Sequence, residues 1–355
     1  MRYTLSLAGP AWLGEQRLRL TVDGEHVVDV DFRPHDEPTP PLSGRGPIGM
    51  LIGRAATRCD SCRFAYGLAL CQAAEALLHI EPELRAARVR LGVAENERIA
   101  AHLHGLSTIF AAMGLDYDAA LLTSLHMEAA AALTGLAGTT PADLLLPGGL
   151  SRDPSEAALT AAREQIAGVG RQLLVLADRT IDRRTLLTRT VGIGALGSEA
   201  VTGFRLGGPL ARATGSAGDV RIDAPYSAYG SITPNVVVQE GGDVYARLVV
   251  LLLESLESVR LVESALSDLP QGPWRGVDPD QLPAGSAESL VEAPRGPLRC
   301  RLHATGAEMT AHFQPSAPFD RLLARALISG AHLDDAALIA ISANPCVGCA
   351  GVATA

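Results

Sequence analysis

Two Cys-x-x-Cys motifs lie near opposite ends of the chain, and their thiols are the groups best placed to do chemistry. Cys59 and Cys62 open an apolar run, whereas Cys346 and Cys349 lie in "NPCVGC" almost a whole chain away. Four clustered thiolates would suit zinc, an iron–sulfur cluster, or a nickel and iron pair. A zinc finger closes a short loop, so this separation argues against a local zinc module. The motifs therefore predict one site joining the chain ends, although two redox pairs or four ordinary reduced cysteines also fit.

The first pair precedes a predicted helix that runs through Leu77. Because a helix N-terminus attracts negative charge and three arginines lie nearby, the thiols of this pair should favour the thiolate form. The other two cysteines, Cys71 and Cys300, are expected to be core residues. Asp219 and Arg221 are expected to form a buried ion pair that braces the site.

Composition describes a folded, acidic protein. The chain has 355 residues, of which 47% are hydrophobic and 19% charged, and its net charge is −9. The chain has no cluster of basic residues that could bind the phosphate backbone of a nucleic acid, so nucleic acid is not an expected partner. No secretory signal is evident, and the longest apolar run, residues 248–253, is too short to span a bilayer. We therefore predict a cytoplasmic protein with reduced cysteines and no membrane insertion.

Alternating apolar and polar residues predict a β-hairpin near each end of the chain. Residues 15–34 alternate around an Asp-Gly pair, and residues 296–315 alternate around a Thr-Gly pair. Between them, Ala/Leu-rich segments with three-and-four spacing predict helices. A last helix is expected at residues 319–329. The predicted fold class is mainly α with small β-hairpins (α+β), a helical bundle that brings the two Cys-x-x-Cys motifs together.

We predict a single domain over residues 1–355. Its N-terminal part, residues 1–54, holds the first hairpin and a Pro-rich linker. Residues 55–290 form the helical core. Residues 291–355 supply the second hairpin, the last helix and the second cysteine motif.

Five further motifs accompany the cysteine pairs. They are "ENERIAAHL" (95–103), "RTVGIGALGSEA" (189–200), "GGPLARATGSAGDVRIDAPYSAYG" (207–230), "GDVYARLVVLLLESLESVRLVESAL" (242–266) and "EAPRG" (292–296). In this order, over nearly the whole chain, they resemble the large-subunit family of NiFe-hydrogenases. The resemblance is greatest to the branch related to the quinone-site subunit of respiratory complex I. Members in complex I have lost the paired cysteines, whereas this chain has kept all four.

The resemblance implies a metal site. In the family, four thiolates hold nickel and an iron that carries cyanide and carbon monoxide, and two of the thiolates bridge the metals. It implies that Cys59, Cys62, Cys346 and Cys349 are metal ligands, with Cys62 and Cys349 in the bridging positions. It also implies that Arg295, in "EAPRG", binds a cyanide ligand, a role that suits the fixed donor fork of a guanidinium.

Several positions depart from the family pattern. Tyr66 stands where the enzymes have a histidine, Asn344 replaces an aspartate, and no histidine follows Cys349. The family's His-Arg-Gly-x-Glu motif has become residues 44–48, and its N-terminal His-Pro is missing. Glu15 is a candidate replacement for the nearby carboxylate. The metal ligands thus survive, while groups that move protons or polarise ligands are lost.

This combination favours a non-catalytic scaffold in hydrogenase maturation, of the HupK/HoxV type, over an enzyme. Such a scaffold would bind the Fe(CN)2(CO) unit on its thiolates and pass it to a catalytic large subunit, with nickel as a second option. The expected partners are a small HypC-type chaperone, a HypD-type iron-assembly protein and that large subunit. The chain stops six residues after Cys349, so no C-terminal processing is expected.

Two alternatives remain open at this point. One is the catalytic large subunit of a compact, divergent NiFe-hydrogenase. The other is a structural partner derived from the complex I branch, which would have little reason to keep four thiolates.

Overall fold

The computed structural model describes residues 1–7, 16–32, 40–316, 319–344, 346 and 349. Within them, helices surround three small antiparallel sheets, which agrees with the predicted α+β class. The helices are α1 (Ile48–Ala55), α2 (Arg63–Leu78), α3 (Leu84–Ala112), α4 (Asp116–Ala137), α5 (Glu156–Thr180), α6 (Arg184–Thr190), α7 (Glu199–Gly203), α8 (Gly208–Arg212), α9 (Val220–Asp223), α10 (Val244–Leu266), α11 (Arg321–Ile328) and α12 (Ala336–Ser342). The strands are β1 (Arg2–Leu7), β2 (Gln16–Asp23), β3 (His26–Phe32), β4 (Leu42–Arg45), β5 (Leu145–Leu146), β6 (Gly149–Leu150), β7 (Leu282–Ala293), β8 (Gly296–Gly306) and β9 (Glu308–Pro315).

The N-terminal hairpin has the predicted form, with β2 and β3 paired antiparallel and β1 added on the outer side of β2. Its turn uses Gly24, whose φ of +60° is readily adopted only by glycine and a few polar residues. Alternation along the hairpin buries one face against the C-terminal helices. There the Phe32 and Phe319 rings meet edge to face, with their centroids 5.0 Å apart.

The second sheet is larger than predicted and has the strand order β4-β9-β8-β7. The predicted hairpin is its β8–β9 pair, but β7 crosses the proposed boundary at residue 290 and β4 lies in the proposed linker. The first half of β7, "LPAGSA", is rich in small and polar residues, so it lacks the apolar alternation by which a strand is recognised. Strand β7 forms because it pairs with β8, with Ala293 opposite Gly296 at the turn. Its own sequence does not show this pairing.

Helix α3 is the centre of the helical layer and packs against α4 and α10. Its 29 residues are buried on all sides along much of the helix. A helix that is buried on every side does not need one apolar face. The sequence of α3 therefore shows little of the amphipathic periodicity that marks a surface helix. Charged residues therefore occur at core positions of α3, and each of them requires a buried partner.

Those partners form what we call the buried charge cluster. Its members are Glu95, Arg98, Arg212, Asp219, Arg221, Glu254 and Glu292, each no more than 3% exposed. The predicted pair is present, with Arg221 Nη2 2.6 Å from Asp219 Oδ2. Arg221 also reaches Glu95 at 3.1 Å, and Arg212 reaches Glu292 at 3.0 Å. The cluster thus joins α3, α8, α9 and α10 to the end of β7.

One stretch, Asp116–Leu144, is long and apolar enough to cross a membrane by length and composition. Only 33% of its apolar window is buried within the described structure. Its helical part, α4, packs along α3 and α5. A single helix of this kind is weak evidence for a membrane span, because a helix of a water-soluble fold passes the same test.

The turn between β7 and β8 is held close to the start of α8. A Cβ atom on Gly208 would lie 2.5 Å from the Gly296 Cα atom and 2.6 Å from the Arg295 carbonyl carbon. Gly208 also has a φ of +63°, which a side chain would strain. Glycine is therefore required where these two backbone segments meet.

We expect Gly208→Ala to lower the free energy of unfolding by about 2 kcal/mol or more, because strain and a backbone clash act together. Gly203→Ala is the matched control, since a Cβ atom there meets nothing within 4 Å. Its effect should be under about 1 kcal/mol and in the stabilising direction. Urea denaturation of both variants measures the difference, and equal midpoints would contradict the close approach.

Candidate metal centre

The first cysteine pair is shaped by a tight turn that leads into α2. Cys62 N donates to the Cys59 carbonyl oxygen at 3.3 Å, and Tyr66 N donates to the Cys62 carbonyl oxygen at 3.1 Å. Cys62 is the residue just before α2 begins at Arg63. Its thiol therefore sits at the positive end of a helix dipole, a position that favours a thiolate.

The second cysteine pair follows α12, and the backbone conformation of Asn344 sets its direction. That residue has a φ of +49°, a left-handed conformation that asparagine tolerates. Gly105 on α3 makes room for it, because a Cβ atom there would lie 3.0 Å from Asn344 Oδ1. The chain therefore turns at Asn344 and carries Cys346 and Cys349 towards the N-terminal pair.

The sulfur atoms from the two chain ends come together in the core. The Cys59 Sγ atom lies 3.3 Å from Cys346 Sγ and 3.7 Å from Cys349 Sγ. These three sulfurs are within 4.8 Å of one another, and the Cys62 side chain lines the same small cavity as Cys346 and Cys349. Sulfurs on one tetrahedral metal with ~2.3 Å bonds lie about 3.8 Å apart, so these spacings fit a shared metal centre. Metal binding itself stays a prediction.

Arg295 lies beside the thiols on the turn between β7 and β8. Its Nε donates to the Asn344 carbonyl oxygen at 2.9 Å and its Nη2 to Asn344 Oδ1 at 3.3 Å. Its Nη1 points at Cys62 Sγ from 3.7 Å. Asn344 thus fixes the guanidinium plane, and a positive charge is held against the sulfur cluster.

The thiols of the centre differ in pKa. Hydrogen bonding from Cys349 and Cys59 lowers the pKa of Cys62 to about 5 despite burial, and the Arg295 charge acts in the same direction. Hydrogen bonding to the other three cysteines raises the pKa of Cys349 well above its usual range. The pKa values of Cys62 and Cys349 are thus shifted in opposite directions, and the thiolate form is favoured at Cys62 over Cys349.

A small cavity of ≈ 50 Å³ adjoins the sulfurs. Its polar wall includes Cys62, Tyr66, Arg295, Asn344, Cys346 and Cys349. Leucines and Phe319 form much of the remaining wall. The Tyr66 hydroxyl donates to Cys349 Sγ at 3.6 Å, and burial raises the pKa of Tyr66 well above its usual range. Tyr66 can therefore donate a hydrogen bond here but cannot serve as a base near neutral pH.

Cys71 and Cys300 are fully buried core residues, as predicted. Burial raises the pKa of each thiol, which leaves both unreactive. His102 is also buried, and its Nε2 lies 2.8 Å from Glu254 Oε2. Glu15 lies outside the described residues, so its proposed role as a replacement carboxylate stays a prediction.

Sequence reasoning missed Glu97, which supports the first cysteine pair from behind. Its carboxylate accepts hydrogen bonds from Phe64 N at 2.6 Å and from Ala65 N at 3.0 Å. These are first-turn amides of α2, which have no partner within the helix. The available signal was a run of charged residues, "ENER", in a helix otherwise suited to a core.

Comparison with known proteins gives a family match over residues 125–281, to the respiratory-chain NADH dehydrogenase 49 kDa subunit. The chain is 28% identical over 350 residues to the carbon monoxide-induced hydrogenase of Rhodospirillum rubrum, covering 93% of both proteins. It is 30% identical over 287 residues to formate hydrogenlyase subunit 5 of Escherichia coli (strain K12), covering 78% of this chain and 50% of that protein. It is 29% identical over 326 residues to an NADH-quinone oxidoreductase subunit of Sinorhizobium medicae (strain WSM419), covering 81% of this chain and 79% of that protein.

A solved structure shares the fold. It belongs to the membrane-bound sulfane sulfur reductase, an archaeal respiratory membrane complex. The TM-score is 0.87 at 22% identity, and the match covers 98% of this chain and 97% of the other. At that identity, the likeness concerns the fold alone.

These comparisons correct the expected partners. HypC-type and HypD-type assembly proteins were the wrong expectation, because the matched proteins are hydrogenase or respiratory-complex subunits. The same names favour the alternative function, a hydrogenase large subunit, over a maturation scaffold, and they do not confirm a free cytoplasmic location. The chain is thus similar to the respiratory-chain NADH dehydrogenase 49 kDa subunit over residues 125–281, and to hydrogenase subunits over most of its length.

Proposed function

We propose that this chain is the metal-holding large subunit of a membrane-associated hydrogenase complex. The observation that carries the proposal is the meeting of thiols from both chain ends beside a fixed arginine. It is supported by similarity over 93% of the chain to a protein named as a hydrogenase. A subunit of an electron-transfer complex without such a metal would have no need for these thiols.

Cys59, Cys62, Cys346 and Cys349 would hold nickel and the Fe(CN)2(CO) unit, and this pair of metals would supply the binding and redox chemistry of hydrogen. The chain's own residues prepare the site. Arg295 places donors on the cavity wall, where a cyanide nitrogen could accept them. The apolar side of the cavity limits water near the sulfurs.

The replacements at Tyr66 and Asn344 support the competing hypothesis of an assembly scaffold. A neutral tyrosine hydroxyl donates to Cys349 where the enzymes have a histidine. Asn344 carries no charge, so it cannot take up a proton beside Arg295. The two hypotheses differ in metal content, location and turnover, and all three are measurable on one preparation.

We expect the tagged chain, isolated without oxygen from its own cells, to sediment with membranes and carry nickel and iron in equal amounts. It should oxidise hydrogen with a viologen acceptor, because the proposal assigns it the catalytic metals. Metal analysis and a hydrogen-uptake assay on the intact complex measure this. A soluble chain with iron alone and no uptake would instead favour the scaffold.

Replacing any ligand cysteine by alanine should remove most of the bound metal, because each loses a metal–thiolate bond. The series is Cys59→Ala, Cys62→Ala, Cys346→Ala and Cys349→Ala. Cys71→Ala and Cys300→Ala are matched controls, since both thiols are equally buried but lie outside the cluster. Equal metal retention in ligand and control variants would contradict the assignment.

Arg295→Gln should weaken metal retention against a chelator by roughly tenfold or more, since a hydrogen bond to a charged group contributes about 1.5–3 kcal/mol. In the metal-free chain it should also raise the pKa of Cys62 above about 5, because a neighbouring positive charge is removed. Thiolate absorbance in the ultraviolet follows that titration. The control is Arg299→Gln, which removes an exposed arginine of β8, the strand that follows the turn, and it should change neither quantity.

A further inference from the structure

The buried charge cluster contains one more carboxylate than it has guanidinium groups. Four acids, Glu95, Asp219, Glu254 and Glu292, face three arginines, and all seven side chains are shielded from solvent. If every acid were ionised, a negative charge would be left in the core. An uncompensated buried charge is costly enough that a group usually binds a proton instead.

Two of the acids are well supplied with donors. Glu95 accepts hydrogen bonds from Arg98, Arg221, Tyr229 and Ser258. Both oxygens of Asp219 are bonded by Arg221, and Arg212 adds a further contact at 3.4 Å. Both carboxylates are therefore stabilised in the charged form.

The other two acids share Arg212. Its Nε lies 2.5 Å from Glu254 Oε1, while its Nη1 lies 3.0 Å from Glu292 Oε1. Glu254 has a second partner at His102, whereas the second partner of the Glu292 carboxylate within the described residues is an uncharged backbone amide, Val220 N at 3.2 Å. Glu292 is consequently the least compensated carboxylate of the cluster.

The directions of the pKa shifts agree with this ranking. Burial alone would raise the pKa of Glu95, but Arg98, Arg221 and two hydroxyl hydrogen bonds outweigh burial and lower that pKa to about 2. Arg212 and His102 likewise outweigh burial at Glu254 and lower its pKa. Burial and the nearby Asp219 raise the pKa of Glu292 above its ordinary value, despite the attraction of Arg212.

His102 is the other possible position for a proton. Its Nδ1 has no hydrogen-bond partner in the described structure, so an imidazolium would leave a buried N–H unsatisfied. Burial also lowers the pKa of His102, even with Glu254 beside it. A neutral His102 that donates from Nε2 to Glu254 satisfies more of the groups that are present.

We propose that Glu292 holds a proton that neutralises the buried charge cluster. Glu292 lies near the end of β7, where Arg98 donates to the carbonyl oxygens of Glu292 at 2.6 Å and Ala293 at 3.0 Å. These contacts hold this segment of β7 inside the cluster.

Infrared spectroscopy of the metal-free chain tests the protonation directly. At about pH 6, well above the ~4.3 of a free glutamate, wild type should show a carboxylic-acid C=O band that shifts in heavy water. Glu292→Gln should remove one such band. Glu97, whose pKa burial raises to about 7, contributes a separate band that cancels in the difference spectrum.

The matched control is Glu75→Gln, another buried acid, which pairs one to one with Arg90 and lies outside the cluster. It should leave the Glu292 band intact, as should His102→Gln. If Glu292→Gln does not fold, Glu292→Asp should shift the band rather than remove it. A difference spectrum without the band overturns the proposal, as does loss of the same band in His102→Gln with retention in Glu292→Gln.

Discussion

The hydrogen bonds from Arg98 to two consecutive carbonyl oxygens of β7 are the contact on which the site depends. They tie the central helix to the turn that carries Arg295, and both partners are shielded from water. A buried guanidinium is tolerable only with compensating acids. The cluster of four carboxylates and three arginines therefore follows from the need to hold that turn in the core.

A second constraint is the meeting of the chain ends. Cys59 approaches Cys346 because α2 starts in the core and α12 returns to it, and Asn344 and Gly105 set the last turn. Arg295 bridges the two ends, since it contacts both Asn344 and Cys62. Thiols this close resist simultaneous ionisation, and hydrogen bonding together with the Arg295 charge lowers the pKa of Cys62.

The elements with regular patterns could be predicted, and those set by long-range pairing could not. Both hairpins and the long helix α10 follow from alternation and helical spacing. Strand β7 exists because β8 lies beside it, which its own small and polar residues do not reveal. Likewise, the cysteines and Arg295 were marked by motifs, whereas Glu97 and Glu292 act through partners far away in sequence, where spacing carries no signal.

The departures at Tyr66 and Asn344 shift the charge balance around the centre. An aspartate in place of Asn344 would compete with the thiolates for Arg295, whereas the amide leaves that positive charge available to Cys62. Tyr66 stays neutral, so neither residue can follow a change of charge at the sulfurs by taking up a proton. Glu97, which accepts hydrogen bonds from the first-turn amides of α2, is by contrast an acid whose pKa burial raises to about 7. A proton-binding group is therefore missing at these two wall positions but present on α3, behind the first cysteine pair.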